Sequence, residues 1–374
     1  MTLAEDGGAE RLGRIRLART SGVGPLTFRR LLNRFPSAAE AIDALPGLAR
    51  AGGRESPGVT PLATIEKELA RLHKLGGRML VLGEPDYPGL LALLTDAPPV
   101  ISILGDPAVL AARSVGLVGA RNASANGQRM AEMLAADLAL SGLTVVSGMA
   151  RGIDAAAHTG AMHTGHTVAA VAGGLDVPYP PEHATLQARI AERGAVVAEA
   201  PLGTAPQSRH FPRRNRVIAG LSLGVVVVEA ARNSGSLITA QLALDANRTV
   251  FAVPGSPLDP RCQGSNDLIR GGAILAGQAS DVTESLTDPR DSSLFTGFAD
   301  TPAPWDGPVD AIIADDHIRQ TVIALLGPEP TQVDDLTRRC QFSASTVMAV
   351  LLELELAGRV ETLSGNRVAL LDLI

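Results

Sequence analysis

The densest run of chemistry-bearing side chains in this 374-residue chain is Arg209-His210-Phe211-Pro212-Arg213-Arg214-Asn215-Arg216, with no Asp or Glu between Glu199 and Glu229. Guanidinium groups crowded together without local carboxylates seek anions, and a phosphate accepts their planar fork in bidentate fashion. Phe211 adds a ring face on which an unpaired base can stack. The competing role is structural, with one or two arginines paired to acids elsewhere in the chain and Phe211 in the core.

Five loops rich in small residues form a second pattern: Gly119-Ala120-Arg121, Ser147-Gly148-Met149-Ala150-Arg151-Gly152, Ala172-Gly173-Gly174-Leu175-Asp176, Ser234-Gly235-Ser236 and Pro254-Gly255-Ser256. Glycine lets a backbone approach a phosphate closely, and the N–H groups that open a helix aim donors at an anion. Glycine also punctuates ordinary strand-to-helix turns, a role that explains each loop singly better than all five together. Arg121 directly follows an apolar run, so its side chain is expected at the ligand edge of a sheet; a salt bridge to Asp154 or Asp176 is the alternative.

Other chemistries find no support. The first core run continues as Val-Gly-Ala-Arg-Asn-Ala-Ser, without the glycine spacing of a dinucleotide fingerprint, and no Walker A run occurs. His158, His163 and His166 lie close together but lack a carboxylate or thiol at metal-ligand spacing. Ser147, Asp154 and His158 lack the pattern of a nucleophile elbow. Cys262 and Cys340 are too few for a disulfide framework. The expectation is a non-enzymatic protein with no catalytic residue, metal or cofactor.

These side chains need a scaffold. Short apolar runs at Ser114 to Val118, Leu143 to Val146, Thr167 to Val171, Ala195 to Ala198, Val225 to Val228 and Thr249 to Val253 alternate with Ala- and Leu-rich segments. Continuous apolar runs are the mark of strands buried on both faces of a parallel sheet, so residues 81–283 are expected to form a Rossmann-like, doubly wound, mainly parallel α/β core. Residues 1–80 show helical spacing at Leu12, Ile15 and Leu17 and again at Phe28, Leu31 and Leu32, which predicts a small helical domain. Residues 284–310, rich in Pro, Asp, Ser and Gly, read as a linker. Residues 311–374 give three helices and a hairpin around Ser364-Gly365-Asn366, a winged-helix pattern.

Hydrophobic residues at 45% and charged residues at 19% describe a globular chain. A net charge of −6 argues against coating nucleic acid with the whole surface but leaves room for a local basic groove. Lysine occurs only at Lys67 and Lys74, an excess of arginine that genomic codon bias explains as well as phosphate binding does. The opening MTLAEDGGAE has no apolar signal stretch, and no run of about 18 apolar residues occurs, so a soluble cytoplasmic protein without membrane insertion is expected.

The motifs resemble the DNA-processing protein A (DprA, or Smf) family. The resemblance runs through Val118-Gly119-Ala120-Arg121, Val146-Ser147-Gly148-Met149-Ala150-Arg151-Gly152-Ile153-Asp154, Gly173-Gly174-Leu175-Asp176-Val177-Pro178-Tyr179-Pro180, Phe211-Pro212-Arg213-Arg214-Asn215-Arg216 and Ser234-Gly235-Ser236-Leu237-Ile238-Thr239. It implies a single-stranded DNA-binding protein that protects incoming DNA during natural transformation and recombination. It further implies RecA recombinase and single-strand-binding protein as partners, and a homodimer. By resemblance Arg121, Ser234, Gly235, Ser236 and Thr239 line a phosphate pocket with Gly119, Ser147 and Gly148 near it, while Arg209, Phe211, Arg213, Arg214, Asn215 and Arg216 grip adjoining backbone and base. Ala120 departs from the family's usual Ser or Thr.

Ser21-Gly22-Val23-Gly24-Pro25-Leu26 resembles the hairpin of helix-hairpin-helix and related SAM-like units; a purely structural helix pair fits equally. The last helical segment carries Glu353 and Glu355 and no Arg or Lys, which favours protein contact over major-groove reading. Two alternatives stay open. One is a Rossmann-core nucleotide phosphoribohydrolase, although the acid of that group's loop is missing after Ser234. The other is a winged-helix regulator of duplex DNA.

Overall fold

Helical spacing at the start of the chain becomes α1 (Leu3–Ala18), α2 (Pro25–Arg34), α3 (Ala38–Ala51) and α4 (Leu62–Lys74). Proline opens α2 where its missing N–H costs nothing, and Ser37 caps α3 by accepting the Glu40 N–H. The computed structural model describes residues 3–53, 58–288, 316–363 and 366–371. They divide into two units, Met1–Lys67 with Asp300–Ile374, and Glu68–Ala299.

The larger unit begins with β1 (Arg78–Val81), the short α5 (Gly89–Ala92) and β2 (Val100–Gly105). Strand and helix then alternate through β3 (Ser114–Val118), α6 (Ala125–Leu140), β4 (Thr144–Ser147), α7 (Ile153–Thr164), β5 (Thr167–Val171), α8 (Ala184–Arg193) and β6 (Ala195–Ala198). They continue through α9 (His210–Leu221), β7 (Gly224–Val227), α10 (Gly235–Asp245), β8 (Thr249–Ala252), α11 (Gln263–Arg270), β9 (Ile274–Leu275) and α12 (Ala279–Thr283). The sheet order is β1-β2-β6-β5-β4-β3-β7-β8-β9, with β1–β2 and β2–β6 antiparallel and every other pair parallel. The expected doubly wound core is therefore present, extended at one edge by β1 and β2, which the strand reading did not include.

Successive residues of each strand feed opposite cores. Val146, Val225 and Val227 pack with Val217, Ile218 and Ala240 from α9 and α10. Val145, Val226 and Val228 pack with Leu134, Leu138 and Ala157 from α6 and α7. This two-sided burial is why the runs are continuously apolar rather than alternating. Gly160 lets α7 lie directly on α6, since a side chain there would overlap the Glu132 carbonyl. Leu286 is buried in the α6 and α7 core, so the first residues of the expected linker are packed, while 289–310 lie outside the described residues.

The other unit joins α1–α3 to α13 (Asp316–Ala324), α14 (Val333–Cys340), α15 (Ala344–Leu356) and the antiparallel sheet β10 (Thr331–Gln332), β12 (Arg367–Leu370), β11 (Val360–Leu363). This is the winged-helix arrangement; the expected turn residues Ser364 and Gly365 lie outside the described residues. Ser343 caps α15 by accepting the Thr346 N–H at 3.2 Å. Val347, Val350 and Leu354 of α15 fill the winged helix's own core. Leu352 and Leu356 instead pack among Leu17, Phe28, Leu31 and Leu45. Along that seam Arg30 meets Glu355 at 3.1 Å, although burial still pushes the Glu355 carboxyl above its ordinary value. Gly52 lies so close to the Glu353 carbonyl that a Cβ would overlap it. The C-terminal half of the acidic third helix thus packs on the chain's own α2 and α3, and the terminal segments, read from sequence as separate domains, share one unit.

Truncating Leu356 to Ala should therefore cost about 2–4 kcal/mol, the range for emptying a buried leucine site. In hydrogen exchange read by peptide, protection should fall together in α2–α3 and in α15. A loss confined to α15 would contradict a shared core.

Candidate nucleic-acid interface

In the parallel part of the sheet the chain winds outward from β3 to β4, β5 and β6, then returns to lay β7 against the other side of β3. The crevice beyond the carboxyl ends of β3 and β7 is the place where such folds take ligands. There the loop after β3, the loop after β7 and the first turns of α9 and α10 enclose a cleft of about 760 Å³. Gly119, Arg121, Phe211, Asn215, Ser236 and Thr239 are among its walls.

One end of the cleft is formed by the N-terminus of α10. Ser234 caps α10, its Oγ accepting the Ser236 N–H at 3.4 Å and lying 2.7 Å from the Ser236 Oγ. Nothing lies within 4 Å of a Cβ position at Gly235, so the space beside that residue is open. Helix N-terminal amides backed by the helix dipole favour negative charge. Asn215 ties α9 to this loop through Nδ2, which donates to the Gly235 carbonyl at 3.3 Å.

The other end is aromatic and cationic. The Arg121 guanidinium stands 4.7 Å from the Phe211 ring centre, and Tyr179 meets the same ring edge-on at 5.7 Å. Arg121 is exposed and forms no ion pair among the described residues. Both candidate partners are engaged otherwise: Asp176 with Arg71 at 2.7 Å and with the Gly203 N–H at 2.7 Å, and Asp154 with the Ala150 N–H at 3.2 Å. The structural alternative for Arg121 is therefore not realised.

Beneath this surface lies a buried polar cluster. Arg214 is 6% exposed and its Nη1 donates to the Ala170 carbonyl at 3.1 Å. It passes close over Gly148, where a Cβ would overlap both the guanidinium and the Asp154 carboxylate. Burial pushes the Asp154 carboxyl up and the Arg214 guanidinium down, each opposed by the attraction of the other. The β4–α7 loop that carries Gly148 is strained, with Met149 at φ 62 and Gly152 at φ 74. Such strain outside glycine gathers at functional sites.

His158 belongs to the same cluster. Its Nδ1 lies 2.7 Å from the Thr167 Oγ1, whose proton goes to the Val145 carbonyl at 2.7 Å. Thr167 must therefore accept, so His158 is the neutral Nδ1–H tautomer. Burial, with Arg214 and then His183 adding repulsion, lowers its pKa to about 3.

The residues singled out from sequence separate on inspection. Gly119, Arg121, Arg214, Asn215, Ser234, Gly235, Ser236, Thr239 and Phe211 line the cleft. Gly148 lines an adjoining recess with Arg214 and Phe211. Arg209 and Arg213 are exposed on the opening turn of α9 but are not among the cleft's walls. Ser147 and Arg216 are not brought into the cleft. Ser147 is fully buried and donates to the Leu117 carbonyl at 2.6 Å. Arg216 is 7% exposed and pairs with Glu199 at 2.6 Å and with the Asp96 backbone, so it ties α9 to the core. Sequence reasoning passed over Tyr179, Asn122 and Arg151, which also line these surfaces. Tyr179 had a signal: it is one of 2 tyrosines in a chain with 3% aromatics and sits between prolines.

A family model described as DNA recombination-mediator protein A matches residues 78–287. A DprA-like N-terminal HHH domain matches residues 8–70, and a DprA winged helix domain matches residues 307–366. Protein Smf of Escherichia coli (strain K12) is 36% identical over 320 residues, covering 83% of this chain and 82% of Smf. DNA processing protein DprA of Bacillus subtilis (strain 168) is 38% identical over 226 residues, covering 60% of this chain and 76% of that protein. The X-ray structure of DprA from Streptococcus pneumoniae superposes with a TM-score of 0.65 at 34% identity, covering 74% of this chain and 98% of that one. DprA from Helicobacter pylori, whose structure is described for its single-stranded DNA binding mode, gives 0.51 at 27% identity, covering 56% and 95%.

The buried neutral His158 generates a pH prediction. Its folded pKa of about 3 lies below the ordinary histidine value of 6.5, so its contribution to stability is complete above pH 6.5 and is lost as pH falls towards 3. Denaturant titrations at pH 7 and pH 4 should show a fall of a few kcal/mol, smaller in His158→Asn. Identical pH dependence in the two proteins would contradict the assignment.

Proposed function

Since the chain belongs to the DNA recombination-mediator protein A (DprA/Smf) family, we propose that its switch-point cleft binds single-stranded DNA. In this reading it protects incoming strands and delivers them to RecA during natural transformation and recombination, binding without turning over a substrate. The observation that carries the reading is Arg121, an exposed guanidinium with no ion-pair partner among the described residues, stacked on Phe211 at the mouth of the cleft. Phosphates lie against the α10 amides and Arg121, and unpaired bases stack on Phe211 and Tyr179. Arg209 and Arg213 continue the cationic track on α9. A duplex keeps its base faces stacked inside and offers nothing to the aromatic pair. Single-strand-binding protein is the further partner that the strand's other occupant makes natural.

The same reading includes a homodimer through the larger unit. At the edge of the sheet β9 exposes Ile274 and Leu275, and Leu258 nearby in sequence is 93% exposed. An apolar, unpaired sheet edge is a ready template for pairing with a second copy. Two cleft sites on one strand then gain affinity by avidity.

Two outcomes are expected. Arg121→Ala should weaken single-strand binding roughly tenfold or more, the loss of a charged hydrogen bond of about 1.5–3 kcal/mol, with little change in melting temperature. Unchanged affinity in the folded variant would move the DNA elsewhere. In light scattering the wild type should give a dimer mass at micromolar concentration and Leu275→Asp a monomer; a monomeric wild type that still binds DNA would refute the dimer.

A further inference from the structure

Three arginines line the cleft: Arg121, Arg214 and Arg261. Arg214 is buried, whereas Arg121 and Arg261 are exposed. Arg121 follows β3, Arg261 follows β8, and β7 runs between those two strands in the sheet. At the usual strand spacing the carboxyl ends of β3 and β8 stand roughly 10 Å apart. The loop after β7, which opens α10, leaves the sheet between them. Two exposed guanidinium groups thus come from either side of the α10 N-terminus.

Their states differ. Arg121 stacks on Phe211, whereas the fork of Arg261 is already occupied. Its Nε donates to Asp259 Oδ1 at 3.0 Å and its Nη2 to Asp259 Oδ2 at 2.7 Å. This is the two-bond geometry in which a guanidinium also takes two oxygens of a phosphate. The carboxylate therefore sits where a phosphate would sit. Hydrogen bonding from Arg261 holds the Asp259 carboxyl below its ordinary value, so it is ionised at neutral pH. The Arg261 side chain is 45% exposed and that of Asp259 25%, and water screens a pair of this kind so that it exchanges readily.

The loop beneath the pair is fixed. Asp259 Oδ1 also accepts the Arg261 N–H at 3.0 Å, which opens the single 3-10 turn Pro260–Cys262. Cys262 is buried against Gly255, where a Cβ would overlap its sulfur. Asn266 closes on both the N–H and the carbonyl of Gly255, at 3.1 and 3.0 Å. The Gly264 N–H donates to the Ala230 carbonyl at 2.7 Å and ties this loop to the one after β7.

We propose that Arg261 is a second phosphate-gripping residue of the cleft, masked in the free protein by Asp259, which a backbone phosphate of the single strand displaces. The proposal rests on the single-strand reading of the cleft and extends the strand's path from Arg121 along the carboxyl edge of the sheet to β8. A phosphate monoanion takes the carboxylate's place, and the released carboxylate takes up a cation from solution. Asp259 is then a brake: the strand gains the Arg261 contact only by giving up the internal one. Neutralising a phosphate releases its counter-ions and makes binding salt-dependent. The cation taken up at Asp259 offsets that release.

The test titrates the full chain with a fluorescent oligothymidylate at several salt concentrations. Asp259→Asn keeps an oxygen that can cap the turn, so the melting temperature should change little. It should tighten binding about two- to fivefold, the worth of an exposed ion pair, and steepen the slope of log affinity against log salt by about 0.7. In Arg261→Gln, where there is no cation to unmask, the same Asp259→Asn change should leave the slope as it is. An unchanged slope in Asp259→Asn, or equal steepening with Arg261→Gln beside it, overturns the part given to Arg261 while the cleft reading stands. Failure of the wild type to bind any single strand overturns the cleft reading beneath it.

Discussion

Burying a guanidinium is costly unless its donors find acceptors and its charge finds a counter-charge. Arg214, whose Nε is buried without a partner among the described residues, has one acceptor in the Ala170 carbonyl and a counter-charge in Asp154. It hangs from α9, donates to the end of β5 at Ala170, and faces Asp154 across the Gly148 backbone after β4. The ends of two parallel strands and the arginine-rich helix are thereby held in one arrangement. Phe211, one turn earlier on α9, then stands where Arg121 from the end of β3 can stack on it. Asn215, bonded to the Gly235 carbonyl, and Arg216, paired with Glu199, hold the same helix in place. The β4–α7 loop that passes beside Arg214 holds Met149 at φ 62 and Gly152 at φ 74.

The remainder of the site follows from topology. Returning β7 to the side of β3 brings the cap of α10 and the loop that carries Arg121 together, so a helix N-terminus and a cationic aromatic stack share one cleft. Glu229 helps keep that opening in shape by accepting the Ser124 N–H at 2.9 Å and so binding the start of α6 to the end of β7. The other unit presents a different chemistry. The C-terminal half of its third helix packs on α2 and α3, with Glu355 meeting Arg30.

Much of this was legible in sequence because two-sided burial writes continuous apolar runs, and the six runs of the parallel sheet coincide with strands within a residue or two at each end. The edges were not. β9 has only 2 residues, and β2, though apolar, lies in a stretch without strand–helix alternation to frame it. Among site residues, the cluster Arg209 to Arg216 carried the signal but could not sort itself. The partner that removes Arg216 from the cleft includes Asp96, 120 residues away, and helical phase alone does not reveal it. Ser147 was drawn in by its glycine-rich neighbours, whereas its hydroxyl serves the sheet. The joining of the two chain ends in one core rests on pairings such as Arg30 with Glu355, separated by 325 residues, and no local pattern announces them.

The central claim is that a single strand lies in the cleft with its bases on the aromatic pair. Photocrosslinking a 5-iododeoxyuridine strand to the full chain and sequencing the adducts tests it most directly. Crosslinks should fall on Tyr179 and Phe211 and should diminish in Arg121→Ala. Adducts confined to the other unit, at residues such as Phe35 or Phe342, with none on Tyr179 or Phe211, would contradict it.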